Sequence, residues 1–236
     1  MIGTLINITT IFIGGFLGTI LGAKISDRVR STVIAGLGLF TVALGLKMFL
    51  DTDNALLVVG SLIIGALLGE WWRIEGGLQQ FGKWLETKFA RTNDEKEQKN
   101  FIKGFLTASL LFVIGPMSIL GSIQDGLTGN YELLAIKSVL DGFSALAFAS
   151  SLGIGVMFSI IPIFVYQGSL TLLAAQVQSV VTTEMMTEMT AVGGIIILSL
   201  GFSSLLEIKK IRSGNFLPAL VIAPLLVWII DLLGFS

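Results

Sequence analysis

Residues 115–141 read GPMSILGSIQDGLTGNYELLAIKSVLD, and this stretch decides how the chain is interpreted. A Gly115–Pro116 pair interrupts one apolar segment, and Asp141 lies deep inside the next. Proline lacks an amide hydrogen and clashes with the preceding helical turn, so the pattern predicts a helix break at Gly115–Pro116. If these segments cross a membrane, the freed backbone groups need protein partners or a water-filled cavity.

The composition around this stretch is that of a membrane protein. The 236 residues are 53% hydrophobic and 13% charged, whereas soluble domains carry roughly 25% charged residues. Apolar stretches of about 20 residues recur from one end of the chain to the other. We therefore predict an all-α fold, a polytopic helical membrane protein with about eight transmembrane helices.

We expect one integral membrane domain over residues 1–236. Its first three spans fall within 1–71, a cytoplasmic amphipathic linker covers 72–103, and five more spans fall within 104–236. The predicted spans are about 5–23, 32–50, 55–71, 104–123, 133–151, 154–175, 191–206 and 216–233.

The placement of charge supports this arrangement. The basic residues of three predicted loops are Lys24, Arg28 and Arg30; Arg73, Lys83, Lys88, Arg91, Lys96, Lys99 and Lys103; and Lys209, Lys210 and Arg212. With eight spans all three groups fall on one membrane face, and omitting one span would scatter them over both. Because cytoplasmic loops carry the Lys/Arg excess, we expect both termini to lie outside.

The linker between spans 3 and 4 has a helical pattern of its own. Its apolar residues at helical spacing are Ile74, Leu78, Phe81, Leu85 and Phe89. This pattern predicts one amphipathic helix at the cytoplasmic membrane surface.

Glycines recur every fourth residue in two spans. They are Gly14, Gly18 and Gly22 in span 1, and Gly65 and Gly69 in span 3. Such spacing lets helices approach closely in lipid. The pattern favours packing within one chain over a dimer interface and leaves a homo-oligomer open.

Span 5 carries the strongest candidate for a functional residue. Asp141 lies four residues after Lys137, so the two can pair along one helix face. A charge near the bilayer centre costs about 2.5–3.5 kcal/mol on insertion scales. We therefore expect Asp141 to face the protein interior or water, as a binding residue or, alternatively, as a buried structural carboxylate satisfied by Lys137 and nearby hydroxyls.

Neighbouring spans add neutral polar groups. Ser118, Ser122 and Asp125 share a face if the helix resumes after Pro116. Gln167 in span 6 is either a further ligand or an interhelical hydrogen bond. The predicted substrate- or ion-binding residues are Asp141, Lys137, Asp125, Ser118, Ser122 and Gln167, beside the helix break at Gly115 and Pro116.

The residues that most enzymes and metal sites use are missing. The chain has no Cys and no His, which removes thiolate ligands and imidazole. No enzyme motif is present, so we predict neither catalysis nor a cofactor, and the sequence leaves a metal open. The expected partners are the lipid bilayer and a small ion or polar solute, without nucleic acid.

At these residues the chain resembles a known family. The runs GPMSILGSIQDGL, KSVLDGFSALAFASSLGIGV and FSIIPIFVYQGSLTLLA, with the N-terminal GTLIN, resemble the YqgA-like bacterial inner-membrane proteins, domain of unknown function 554. The resemblance covers essentially the whole chain. It implies a multi-pass protein of the bacterial cytoplasmic membrane, in a family described only as candidate transport proteins, with no substrate or site to carry over.

Two functions follow as hypotheses. The first is a membrane transporter or channel for an ion or small polar solute, with a site formed by spans 4–6 around Asp141. The alternative is a non-transporting scaffold or sensor that binds partner proteins through its glycine-rich helix faces. The sequence leaves open the substrate, the coupling, the direction of transport and the oligomeric state.

Overall fold

The computed structural model describes residues 1–90 and 94–233, and the fold of this part of the chain is all-helical. Among these residues, seven helices are long and apolar enough to cross a membrane. One further pair of helices is bent by 62°, and the number of candidate spans is eight if this pair counts as one. The predicted all-α membrane fold is therefore confirmed.

Eleven α-helices follow one another in the described residues. They are α1 (Ile2–Gly22), α2 (Asp27–Leu50), α3 (Ala55–Trp72), α4 (Ile74–Leu85), α5 (Glu95–Val113), α6 (Pro116–Thr128), α7 (Glu132–Leu152), α8 (Ile160–Leu172), α9 (Ala174–Gln178), α10 (Thr183–Leu200) and α11 (Ala219–Leu232). Two π-helical turns, Glu86–Ala90 and Gly201–Leu205, and two 3-10 turns, Ile154–Ser159 and Ser213–Phe216, separate some of them.

The segment between α3 and α5 differs in length from the predicted linker. The predicted amphipathic helix is present as α4, but α5 begins at Glu95 rather than at Gly104. Asp94 caps it, because its carboxylate accepts the Lys96 amide hydrogen at 2.7 Å, and acidic residues in the first turn favour the helix dipole. Residues 91–93 of the predicted linker lie outside the described residues.

The contacts divide the chain into two compact units that are interleaved along the sequence. The first unit contains Met1–Leu37 and Gln79–Ser179, and the second contains Gly38–Leu78 and Val180–Ser236.

In the first unit, the glycine face of α1 packs directly on the backbone of α7. A Cβ atom added at Gly14 or Gly18 would overlap the carbonyl oxygen of Gly142 or Leu146, respectively. Because residue numbers rise together along the two helices, α1 and α7 are parallel. The predicted close approach through these glycines occurs within the chain.

Helices α5 and α6 continue in one direction along α7 and do not double back. Successive residues of the pair contact residues of α7 with decreasing numbers. The pair is therefore antiparallel to α7 and follows it over nearly its full length. The contacts that show this are Gly104 with Leu152, the Phe112 carbonyl with Lys137, and Gly121 with Leu134.

In the second unit, α3 packs on α11 in the same manner. Cβ atoms added at Gly65 and Gly69 would overlap the backbone of Ala219 and Asn215. The buried Glu188 carboxylate of α10 accepts hydrogen bonds from the Asp53 and Asn54 amides at 3.0 and 3.1 Å. These bonds hold the backbone that enters α3.

Gly18→Ala should destabilise the protein by about 1–3 kcal/mol, since overpacking a close helix contact forces the backbones apart. Gly36→Ala is the matched control, because a Cβ atom there meets nothing within 4 Å and alanine is the better helix former. Thermal unfolding of both variants in detergent measures the difference. Equal stability of the two variants would contradict the packing described for α1 and α7.

Candidate functional site

The predicted helix break lies between α5 and α6. α5 ends at Val113 and α6 begins at Pro116. Gly115 has a φ of 149°, a backbone conformation that residues with a side chain rarely adopt. Proline at the first helical position suits α6, because its missing amide hydrogen would have no partner there.

Pro116 leaves the Phe112 carbonyl without its usual helical partner. In an unbroken helix this oxygen would accept from the amide of residue 116, but proline has none. The carbonyl instead accepts the Lys137 ammonium at 2.9 Å and the Ser118 hydroxyl at 3.2 Å. The break thus creates an acceptor inside the protein, and α7 supplies the cation that satisfies it.

The Lys137 ammonium also forms an ion pair with the Asp141 carboxylate. The two residues are 6% and 8% exposed, and Asp141 is near the middle of the 21-residue helix α7. The predicted pairing is therefore confirmed, and it lies inside the first unit. Desolvating two charges is costly unless further hydrogen bonds support them.

Two amides and a hydroxyl complete this cluster. The Asn7 side chain of α1 donates to Gln167 of α8 at 3.3 Å. Gln167 in turn donates to the Ser118 hydroxyl at 3.5 Å. We call these five residues the central cluster: Asn7, Ser118, Lys137, Asp141 and Gln167.

Sequence reasoning missed Asn7 as a site residue, because it lies near the end of its span. A signal was present, however. Asn7 lies two helical turns before Gly14 and therefore shares the glycine face of α1 that packs inside the protein.

The other two predicted site residues extend away from the central cluster along α6. Ser122 is one turn after Ser118, and Asp125 lies roughly 10 Å beyond Ser118 along the helix. The Asp125 carboxylate accepts the Gly3 amide hydrogen at 3.0 Å and is 3.1 Å from the Met1 amino nitrogen. Asp125 is buried at the start of α1 and does not meet Asp141.

Comparison with known proteins assigns the family. The family described as "Protein of unknown function (DUF554)" matches residues 2–228. The chain belongs to the DUF554 family. This membership confirms the resemblance drawn from the central motifs.

Two relatives of this DUF554 chain cover nearly its full length. "Uncharacterized membrane protein YdfK" of Bacillus subtilis (strain 168) is 36% identical over 238 residues, which cover 99% of each chain. "Uncharacterized protein YqgA" of Escherichia coli (strain K12) is 31% identical over 223 residues, 94% of each chain. No solved structure is significantly similar to the chain.

Buried polar atoms without a partner are concentrated in the first unit of this DUF554 protein. Among the described residues, they belong to Thr4, Asn7, Arg30, Thr107, Ser109, Ser122, Asp125, Ser151 and Ser159. All of these residues fall within the first unit. Buried polar atoms in native proteins nearly always bond to protein or water, so this unit has unused capacity for water or a ligand.

The acidic residues of the described chain are dispersed. Across residues 1–90 and 94–233, no three His, Cys, Asp or Glu side chains lie together as metal ligands would. Asp141 is the single carboxylate of the central cluster, and the Lys137 ammonium is its ion-pair partner.

Lys137→Met should lower the free energy of unfolding by roughly 3–5 kcal/mol, because it leaves the Asp141 carboxylate buried without its cation. Adding Asp141→Asn should recover part of this loss, since no unpaired charge then remains. Lys47→Met, at an exposed position of α2, is the control and should be nearly neutral. Chemical unfolding in detergent measures all three variants, and a double variant no more stable than Lys137→Met would contradict a coupled pair.

Proposed function

We propose that this DUF554 protein is a transporter or channel for an ion or small polar solute in the bacterial cytoplasmic membrane. Its site is the central cluster, where α1, α7 and α8 surround the α5–α6 break. Transporters often place their sites at broken helices near the membrane midplane, and ionisable residues within spans are functional candidates by default.

The observation that carries this proposal is a row of unpartnered polar atoms between the central cluster and the far end of α6. Asn7 and Thr4 provide the α1 side of the row, and Ser122 and Asp125 provide the α6 side. The Gly3–Asp125 and Asn7–Gln167 hydrogen bonds bracket the row at its two ends. Such a row is costly in a dry core and is typical of a wetted path.

The residues of the central cluster have separate roles in this proposal. Asp141 attracts a cation or accepts a proton, and Lys137 neutralises it when the site is empty of substrate. The unpartnered Asn7 side-chain oxygen, the Ser118 hydroxyl and the Phe112 carbonyl supply neutral ligands. An arriving cation then competes with the Lys137 ammonium for Asp141.

The alternative function, a scaffold that binds proteins through glycine faces, has less support. Gly14, Gly18 and Gly22 of α1 contact α7, and the glycines of α3 contact α11 or the turn before it. These faces are used inside each unit. The proposed orientation, with both termini outside, rests on the placement of basic residues.

Asp141→Asn should abolish flux through the purified protein in proteoliposomes, because the substitution removes the carboxylate and keeps the side-chain shape. The probes are protons, ²²Na⁺ and ⁸⁶Rb⁺, each driven by an imposed gradient. Asp231→Asn, which alters an exposed carboxylate of α11, is the control and should retain wild-type flux. Wild-type flux in Asp141→Asn would reject the proposed site, and no flux of any probe in the wild type would remove support for cation transport.

A further inference from the structure

A cavity of about 430 Å³ opens at the other end of the first unit from Asp125. It lies where α1 and α7 end, beside the first turns of α2 and α5, and Ser151 and Arg30 are among its lining residues. Ser151 follows Asp141 by ten residues on α7, which corresponds to roughly 15 Å along the helix. The cavity is therefore separate from the central cluster.

Irregular backbone borders this cavity on two sides. The π-helical turn Glu86–Ala90 contributes Phe89 to the wall. The 3-10 turn that follows α7 begins after Gly153, whose φ is 82°, and contributes Ile154. π-helical turns inside α-helical segments occur frequently at functional sites, and here two irregular turns line one cavity.

Two buried polar atoms of the wall have no hydrogen-bond partner, and each can donate a hydrogen bond. The Arg30 Nε atom is buried without a partner, while its Nη2 atom donates to the Gly22 carbonyl at 3.1 Å. Ser151 is 2% exposed, and its hydroxyl has no partner. The hydroxyls of Thr19 and Ser150, in contrast, donate to carbonyls of their own helices, each at 2.8 Å.

We propose that this cavity binds the anionic group, a carboxylate or a phosphate, of a ligand with a short apolar body. The Arg30 Nε–H and the Ser151 hydroxyl donate to its oxygen atoms, and charge-assisted bonds of this kind are the stronger ones. The apolar part contacts Phe89, Phe101 and Ile154. The volume falls within the range of about 300–1,000 Å³ for small-molecule sites.

Changing the acidic residue of the wall tests whether the cavity binds an anion or a cation. Glu97 lines the cavity from α5, is exposed, and has an interaction of its own. Its charge repels an anion and holds it toward Arg30. Removing this charge should therefore leave anion binding as tight as before or tighter, whereas the same change would weaken the binding of a cation.

The test is isothermal titration calorimetry of the full chain in detergent, with hexanoate as the probe and hexanol as the uncharged control. Hexanoate should bind the wild type and should bind Arg30→Gln about tenfold more weakly, because a charged donor is lost. Ser151→Ala should bind about threefold more weakly, and Glu97→Gln as tightly or more tightly. Arg28→Gln alters an exposed arginine of the same helix and should match the wild type.

A second variant and a second set of ligands complete the test. Arg30 also donates a hydrogen bond to α1. If Arg30→Gln therefore fails to fold, the hexanoate affinity of Ser151→Ala tests the proposal. Native mass spectrometry with phosphatidylglycerol and phosphatidylcholine, alongside titration with inorganic phosphate, distinguishes a lipid headgroup from a soluble anion. Unchanged affinity in Ser151→Ala, weaker binding in Glu97→Gln, or no binding of hexanoate, phosphate or phosphatidylglycerol to the wild type would overturn the proposal.

Discussion

The Phe112 carbonyl is the group on which the centre of the first unit depends. Pro116 cannot donate to it, and a buried carbonyl without a partner costs free energy in any nonaqueous environment. Lys137 satisfies this oxygen, but a buried ammonium needs a counter-ion, which Asp141 provides. Ser118 also donates to the Phe112 carbonyl and accepts from Gln167, which in turn accepts from Asn7. One missing amide hydrogen thus leads to a polar cluster contributed by α1, α6, α7 and α8.

In both units a buried carboxylate accepts backbone amide hydrogens near the start of a helix. The units differ in whether their buried polar side chains have hydrogen-bond partners. Asp125 accepts the Gly3 amide hydrogen at the start of α1, and Glu188 accepts two amide hydrogens just before α3. In the second unit, Ser199 and Ser213 bond each other at 2.7 Å, and Ser61 bonds the Leu57 carbonyl. The unpartnered buried atoms found in the described residues belong to the first unit. This contrast is the reason that the proposed site is placed in the first unit.

Local chemistry explains which features the sequence predicted. The helix break follows from Pro116, the ion pair from the four-residue spacing of Lys137 and Asp141, and the close contacts of α1 from its glycine repeat. The Asn7–Gln167 hydrogen bond joins residues 160 positions apart, and such a contact depends on how three helices meet rather than on any local pattern. The cavity beside Arg30 was not predicted for the same reason, since five separate stretches of the chain line it. The start of α5 could have been predicted, because Asp94 followed by Glu95 and Glu97 is an N-terminal capping pattern.

Whether water reaches the buried face of α6 tests the proposed path most directly. Ser122 and Ser61 are both 0% exposed, but the Ser122 hydroxyl has no partner, whereas Ser61 donates to Leu57 at 2.8 Å. The chain has no native Cys, so a cysteine placed at either position is the single target of a small cationic methanethiosulfonate reagent in liposomes. A wetted path predicts rapid modification of Ser122→Cys and none of Ser61→Cys. Equal protection of both cysteines would show a dry core and contradict the path.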